Sequence, residues 1–281
     1  MKDVAAIVVG LLNQPANFAG RYLLAPIGML PELFGAVFVA VVTGAILLLI
    51  FKYTSNQSAV RRVRSRMRAE FLALSLFRDS VVVCLGCQYR IVLGALHLTM
   101  LALVPMAIMA IPVTLLLSQL GLWWQARPVK PGQEVVVTVA FSGNSRDAIP
   151  GVTLESDPNV EVPLGPVVVR SRRFVSWNIR PLQPGMHVLQ FDVNGKKLEK
   201  QLAVGDHLMR VSQMRSEKDW YAQMLHPAEG VIQSDSLVKT IEIQYPSSDS
   251  WVTGKDSWVL FWFLTSTAAA LCLRPIFKVN L

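Results

Sequence analysis

Residues 33–51 form a run of nineteen without a charged side chain, and Lys52 ends it. A helix needs roughly 20 apolar residues to cross the hydrocarbon of a bilayer, so this run alone points to a membrane protein. The residues after it have the opposite character. Residues 52–93 carry eight Lys/Arg against two acids, whereas 121–255 carry fifteen against fourteen. The net charge of +8 is therefore concentrated beside apolar runs. That pattern reads as an orientation signal and a lipid contact before it reads as nucleic-acid binding, and DNA is not an expected partner.

Within 52–93, Val60, Val63, Met67, Phe71 and Leu74 recur at three- and four-residue intervals, which predicts one apolar helical face. Arg61, Arg62, Arg64, Arg66 and Arg68 cover the other faces and are the candidate contact residues for anionic lipid or a client protein. Thr54, Ser55 and Asn56 can cap this helix, because their side-chain oxygens accept free backbone N–H groups. Asp79 and Ser80 offer a second cap, and a second apolar helix follows over about 81–93. Two helices joined so closely are expected to fold back antiparallel as a basic cytoplasmic hairpin. A basic loop resting on anionic lipid is the plainer alternative.

A second span is expected over 94–120. Pro105 and Pro112 lie within its uncharged core, and each removes a backbone hydrogen bond and leaves a carbonyl free. Trp123 and Trp124 mark its far interface. A third span, 256–273, is bounded by Trp258 and Trp262 outside and by Arg274 and Lys278 inside. Thr265, Ser266 and Thr267 sit at its mid-depth. They serve either helix packing or the polar wall of a groove, with His97, Pro105 and Pro112 as further candidate lining residues. His97 also fits as an ordinary interfacial histidine. Residues 1–32, broken by Pro15, Gly20 and Pro26, begin with a short apolar run, Val4 to Leu12; the alternatives are a signal peptide with a poor n-region and, preferred, a short helix lying at the interface before the first span. The positive-inside rule then puts the amino terminus outside and the hairpin and the tail 274–281 in the cytoplasm.

Between the second and third spans the pattern becomes β. Residues 134–141 and 174–179 alternate, and 186–193 and 196–204 flank Asn194-Gly195, the pair that suits a two-residue hairpin turn. Pro-Gly pairs at 131–132 and 184–185 punctuate strand entries. Residues 127–206 are thus expected to form an extracytoplasmic immunoglobulin-like β-sandwich that folds alone, without metal or disulfide. Residues 207–255 read as a connecting region with a short helix near 217–225 and one more strand near 238–245, either of which packs on the sandwich or bridges it to the membrane. The expected fold class is a membrane α-helical protein, with three transmembrane helices plus a cytoplasmic helical hairpin, carrying that β domain.

The sequence supplies no catalytic constellation: no phosphate-binding glycine loop, no H-E-x-x-H and no G-x-S-x-G. Cys84 and Cys87 make a lone C-x-x-C, and Cys272 stands apart, so reduced thiols are expected. His97, His187, His207 and His226 are scattered. Asp147, Asp157 and Asp192 lack metal-ligand spacing. No catalytic residue, cofactor or metal is therefore expected, and the chain does not read as an enzyme.

The segment Tyr53-Thr54-Ser55-Asn56-Gln57, the arginine-rich helix after it and the proline-bearing span at 98–118 resemble the YidC/Oxa-type membrane-protein insertase superfamily. The likeness is to its three-span EMC/DUF106-like branch and covers roughly 30–120 and 256–276. It implies three helices around a lipid-facing polar groove that lets a short polar segment of a client cross, with the hairpin meeting the client or a ribosome. A bacterial inner (plasma) membrane is the expected setting. Two features depart from the pattern. Many members place an arginine in the groove, whereas Arg90 here lies only at the inner edge of a span. The β domain is an addition on which the likeness is silent. Two functions stay open: an insertase-like protein, or a non-enzymatic envelope scaffold whose β domain binds a partner.

Overall fold

A computed structural model of the chain describes residues 2–26, 28, 30–77, 79–144, 147–217, 220–233, 236–248, 250, 252–254, 257–277 and 279, with the backbone alone over 2–8. Lys278, expected at the inner end of the third span, lies outside the described residues, as do the side chains of Lys2 and Asp3. The chain divides into two compact units, Met1–Ala36 with Thr114–Phe261, and Val37–Val113 with Trp262–Leu281.

Three helices are long and apolar enough to cross a membrane: α2 (Glu32–Thr54), α4 (Val81–Trp124) and α6 (Trp258–Phe277). Before them comes α1 (Lys2–Leu24), and between α2 and α4 lies α3 (Gln57–Leu76). Asn56 caps α3 as its position suggests, its side chain accepting from the Ala59 N–H at 3.0 Å. The expected break between the hairpin's second arm and the second span is absent. Residues 81–124 are one helix of 44 residues, about 66 Å long at 1.5 Å per residue. Nothing between Arg90 and Leu98 stops a helix, and Pro105 and Pro112 lie inside it without ending it. Their missing N–H groups leave the carbonyls of Leu101 and Ile108 without the usual helical donor.

α1 also departs from expectation. It runs for 23 residues through Pro15, where only a short interfacial helix was expected. Its polar side chains explain why it stays ordered. Asn13 Nδ2 donates to the Gln223 carbonyl at 2.8 Å and Asn17 Nδ2 to the Pro227 carbonyl at 2.6 Å, which docks α1 beside α5 (Trp220–Leu225). Those partners lie more than 200 residues away, so no local pattern announces them.

The β-sandwich belongs to the same unit as α1. Strands β1 (Val135–Phe141), β2 (Val152–Leu154), β3 (Val160–Val169), β4 (Phe174–Pro181), β5 (Gly185–Val193), β6 (Lys196–Val204), β7 (Met214–Ser216) and β8 (Val238–Ile243) form two antiparallel sheets. Their orders are β3-β4-β1-β8-β7 and β2-β5-β6. β1 and β4 bury every second side chain, as a half-buried strand does. The sheets share one core, in which Trp177 of the larger meets Phe191 of the smaller at 5.5 Å between ring centroids. Asn194 (φ 51°) and Gly195 (φ 82°) make the predicted two-residue turn, with Val193 paired to Lys196.

The sandwich does not stop at residue 206. β8 pairs with β1 on one side and β7 on the other, so residues expected to be a connector supply the strand next to the middle of the larger sheet. The long strand β3 was also illegible. Pro163, Gly165 and Pro166 break its pattern, and it lies at the sheet edge, where proline is tolerated because no ladder donor is needed. Arg173 was missed as well. It takes a left-handed backbone (φ 52°), and its buried guanidinium donates to the carbonyls of Ser142, Asn144 and Asp147 at 2.7–2.8 Å.

Candidate functional site

In the helical unit, the buried residues of α2 include two small ones, Ala40 and Gly44, spaced four apart. Such spacing lets helix backbones approach closely. At Gly44 the approach is extreme, because a Cβ there would lie 2.5 Å from the Ser266 carbonyl oxygen of α6. One residue earlier, Thr43 accepts a buried hydrogen bond from Trp262 Nε1 at 2.9 Å and donates to the Ala40 carbonyl at 3.1 Å. Thr43, Gly44 and Trp262 therefore form a polar clasp between α2 and α6. Sequence reading missed Thr43 and Gly44; a threonine and a glycine inside an apolar run were the signal that could have found them. Trp262 was taken as an interface anchor, but it is buried.

The clasp sorts the three hydroxyl residues of α6 by burial. Thr265, Ser266 and Thr267 are consecutive, so they point about 100° apart around the helix. Ser266 is buried against Gly44 and donates to the Phe263 carbonyl at 3.2 Å, whereas Thr265 is half-buried and Thr267 exposed. On α4, His97 is exposed, Pro105 buried and Pro112 half-buried. The hydroxyl triplet is thus divided between packing and open surface. Replacing Gly44 with Leu is expected to force α2 and α6 apart, because backbone rather than a movable side chain stands in the way. The expected cost is about 1–3 kcal/mol or more, as for other overpacked sites. A cysteine pair across the two helices that crosslinks in the parent and not in the variant would show it; unchanged crosslinking would contradict it.

The basic helix α3 is held against α4 within the same unit. Val60 and Val63 are buried, the Met67 side chain fills the space left by Gly94, and Arg90 pairs with Glu70 at 3.2 Å. Phe71, expected on the buried stripe, is instead 54% exposed. Arg90 is therefore a strap between the hairpin arms. Arg61, Arg62, Arg66 and Arg68 are exposed and Arg64 is half-buried. Among the described residues none of the five is in an ion pair. They present a cationic face on a helix whose apolar side is occupied.

The β unit contains a second polar cluster that sequence patterning missed. Lys200 on β6 is fully buried. Its Nζ donates to the Ser212 carbonyl at 2.6 Å, to Ser212 Oγ at 3.0 Å and to Glu229 Oε1. Glu229 Oε2 accepts the Gln201 N–H at 3.1 Å. Burial pulls the lysine pKa below its ordinary value, and the Glu229 charge opposes that shift. A serine beside a lysine invites comparison with a nucleophile and its base. A general base needs a free lone pair, however, and this ammonium is engaged in three donor bonds. The cluster's chemistry is that of a structural ion pair joining β6 to the segment after it. The three cysteines are free thiols.

No protein-family model, curated protein or solved structure matches this chain.

Proposed function

We propose that this chain is an integral membrane protein that assists entry of hydrophobic segments into a membrane, as insertases of the YidC/Oxa type do. The observation that carries the reading is the α3–α4 pair. Five arginines without ion pairs among the described residues stand on a helix strapped to another that continues, unbroken, into an apolar stretch of membrane-spanning length. In this reading the hairpin and tail face the cytoplasm of a bacterial inner membrane, and the immunoglobulin-like β domain lies outside. The arginines meet anionic lipid, a client or a ribosome. The free carbonyls at Leu101 and Ile108, with Thr265 and Thr267, soften the passage of a client's polar segment. That passage matters because an unsatisfied backbone group in lipid costs several kcal/mol.

The envelope-scaffold reading is favoured by one feature. The edge strand β3 exposes Val162, Leu164, Val167 and Val168 on a domain with a core of its own. The test that separates the two readings is insertion of a reporter with a short translocated tail in cells depleted of the protein. Insertion is expected to fall severalfold, to recover with the native chain, and not to recover when Arg61, Arg62, Arg64, Arg66 and Arg68 are all glutamine. Recovery with all five as lysine points to charge alone, since lysine keeps the point charge without the guanidinium fork. Unchanged insertion after depletion removes the insertase reading and leaves the scaffold.

A further inference from the structure

The bare apolar surface of α4 extends beyond the part that a membrane can cover. Met67 fills the space at Gly94 and Glu70 pairs with Arg90, so α3 and α4 run antiparallel in a fixed register. Both helices rise equally per residue, which brings Gln57, the first residue of α3, level with about Val104. A helix with five arginines is too costly to place in hydrocarbon, so α3 stands outside it. The α4 residues alongside α3, about 81–103, stand outside it as well.

Over this arm α4 carries two heptad seams. Cys84, Cys87, Ile91, Gly94 and Leu98, at alternating steps of three and four, are buried or half-buried, and this is the seam that meets α3. Val82, Leu85, Tyr89, Val92, Leu96 and Leu103 repeat that spacing two residues earlier, with Thr99 completing the series. A two-residue offset is about 200° around a helix, so the second seam lies on the face away from α3. Its six large side chains are 49–82% exposed. Thr99 does not interrupt it, because its hydroxyl donates to the Ala95 carbonyl at 3.1 Å.

We propose that this seam pairs with the same seam of a second copy of the chain, as a parallel two-stranded coiled coil about a two-fold axis along the membrane normal. Copies held in one membrane in one orientation meet in parallel, so each seam faces itself. Self-pairing sets like against like, and here nothing repels. Arg90 is the sole charged residue of 81–124, it lies off the seam, and Glu70 holds it. The flanking positions, where coiled coils usually carry charge, are Gly86, Gln88, Leu93, Ala95, Met100 and Ala102. With Leu93 and Met100 the bare surface comes to about 800 Å² per copy, the share that each partner gives to a stable interface. α3 then lies on the outer side of each copy, which keeps the two sets of arginines apart. The pairing rests on the membrane placement in the proposed function and not on insertase activity, so crosslinking and reporter insertion can fail separately.

The test is disulfide crosslinking of the full chain in membranes, with Cys84, Cys87 and Cys272 replaced by alanine. Leu85→Cys and Val92→Cys each face their own copy in a parallel pair. Both are expected to give a species of twice the 31.1 kDa chain, severalfold above Ser65→Cys on the exposed surface of α3. Adding Tyr89→Glu and Leu96→Glu is expected to lower the yield to the Ser65→Cys level by like-charge repulsion. The same pair of changes is expected to shift the mass in detergent, by light scattering, from two chains to one. Both positions are exposed in the single chain, so its helices should persist, and an unchanged far-UV circular dichroism spectrum confirms it. Crosslinking no greater than at Ser65→Cys overturns the proposal. A crosslinked species of another mass assigns the seam to a different protein, and quenching of a fluorophore on Leu96→Cys by brominated acyl chains assigns it to lipid; either result overturns the pairing.

Discussion

A fragment ending at residue 206 is expected not to fold, whereas residues 126–247 are expected to unfold in one cooperative transition. The difference is β8 and what surrounds it. Val238, Ile241 and Ile243 are buried to 1% exposure or less in the shared core. Burying each such side chain stabilises by about 1.5–3 kcal/mol, so removing three takes away roughly the whole stability of a small domain, about 5–15 kcal/mol. β1 would also lose one of its two neighbours, and β7, which pairs with β8, would be absent as well. Tyr245 would go too, and with it the acceptor for the Ala203 N–H at 2.9 Å. Urea titrations followed by far-UV circular dichroism decide the matter. A cooperative transition from 127–206 would contradict this account of the domain.

Replacing Glu229 with Ala is expected to cost about 3–5 kcal/mol, the usual penalty for stranding one member of a buried ion pair. Lys200 is fully buried, and its two other partners are a carbonyl and a hydroxyl of Ser212. Neither neutralises the ammonium. The double variant Lys200→Met with Glu229→Leu is expected to regain most of the loss, because apolar groups of similar size remove the charge that needed solvation. Urea midpoints of the 126–247 fragment give the cycle. If Glu229→Ala costs under about 1 kcal/mol, which is typical of exposed pairs, the cluster is not the structural tie described here.

The elements that could be read in advance depend on neighbours in sequence. The uncharged run ending at Lys52 announces α2, the valine spacing and Asn56 announce α3, and Asn194-Gly195 announces the β5–β6 hairpin. Strand β3 was hidden because its prolines are compatible with a strand only at a sheet edge, and edge position is a property of the sheet. The candidate groove residues were legible only as types. A hydroxyl on an apolar helix is predicted to do something polar, but which of Thr265, Ser266 and Thr267 does so depends on where Gly44 lies.

What the sequence determined by itself was therefore composition-driven: three apolar helices of membrane-spanning length, a basic helical arm after the first, and an alternating β region before the last. Hydrophobic periodicity and charge placement are local, so they survive without a partner. The tertiary structure alone decided the pairings. It placed β8 beside β1, docked α1 on α5 through Asn13 and Asn17, set Trp262 on Thr43, and buried Lys200 with Glu229. Each of these joins residues far apart in the chain or closes one polar group on another. Their free energy comes from burial that exists only after folding, when a donor taken from water must find its acceptor inside the protein.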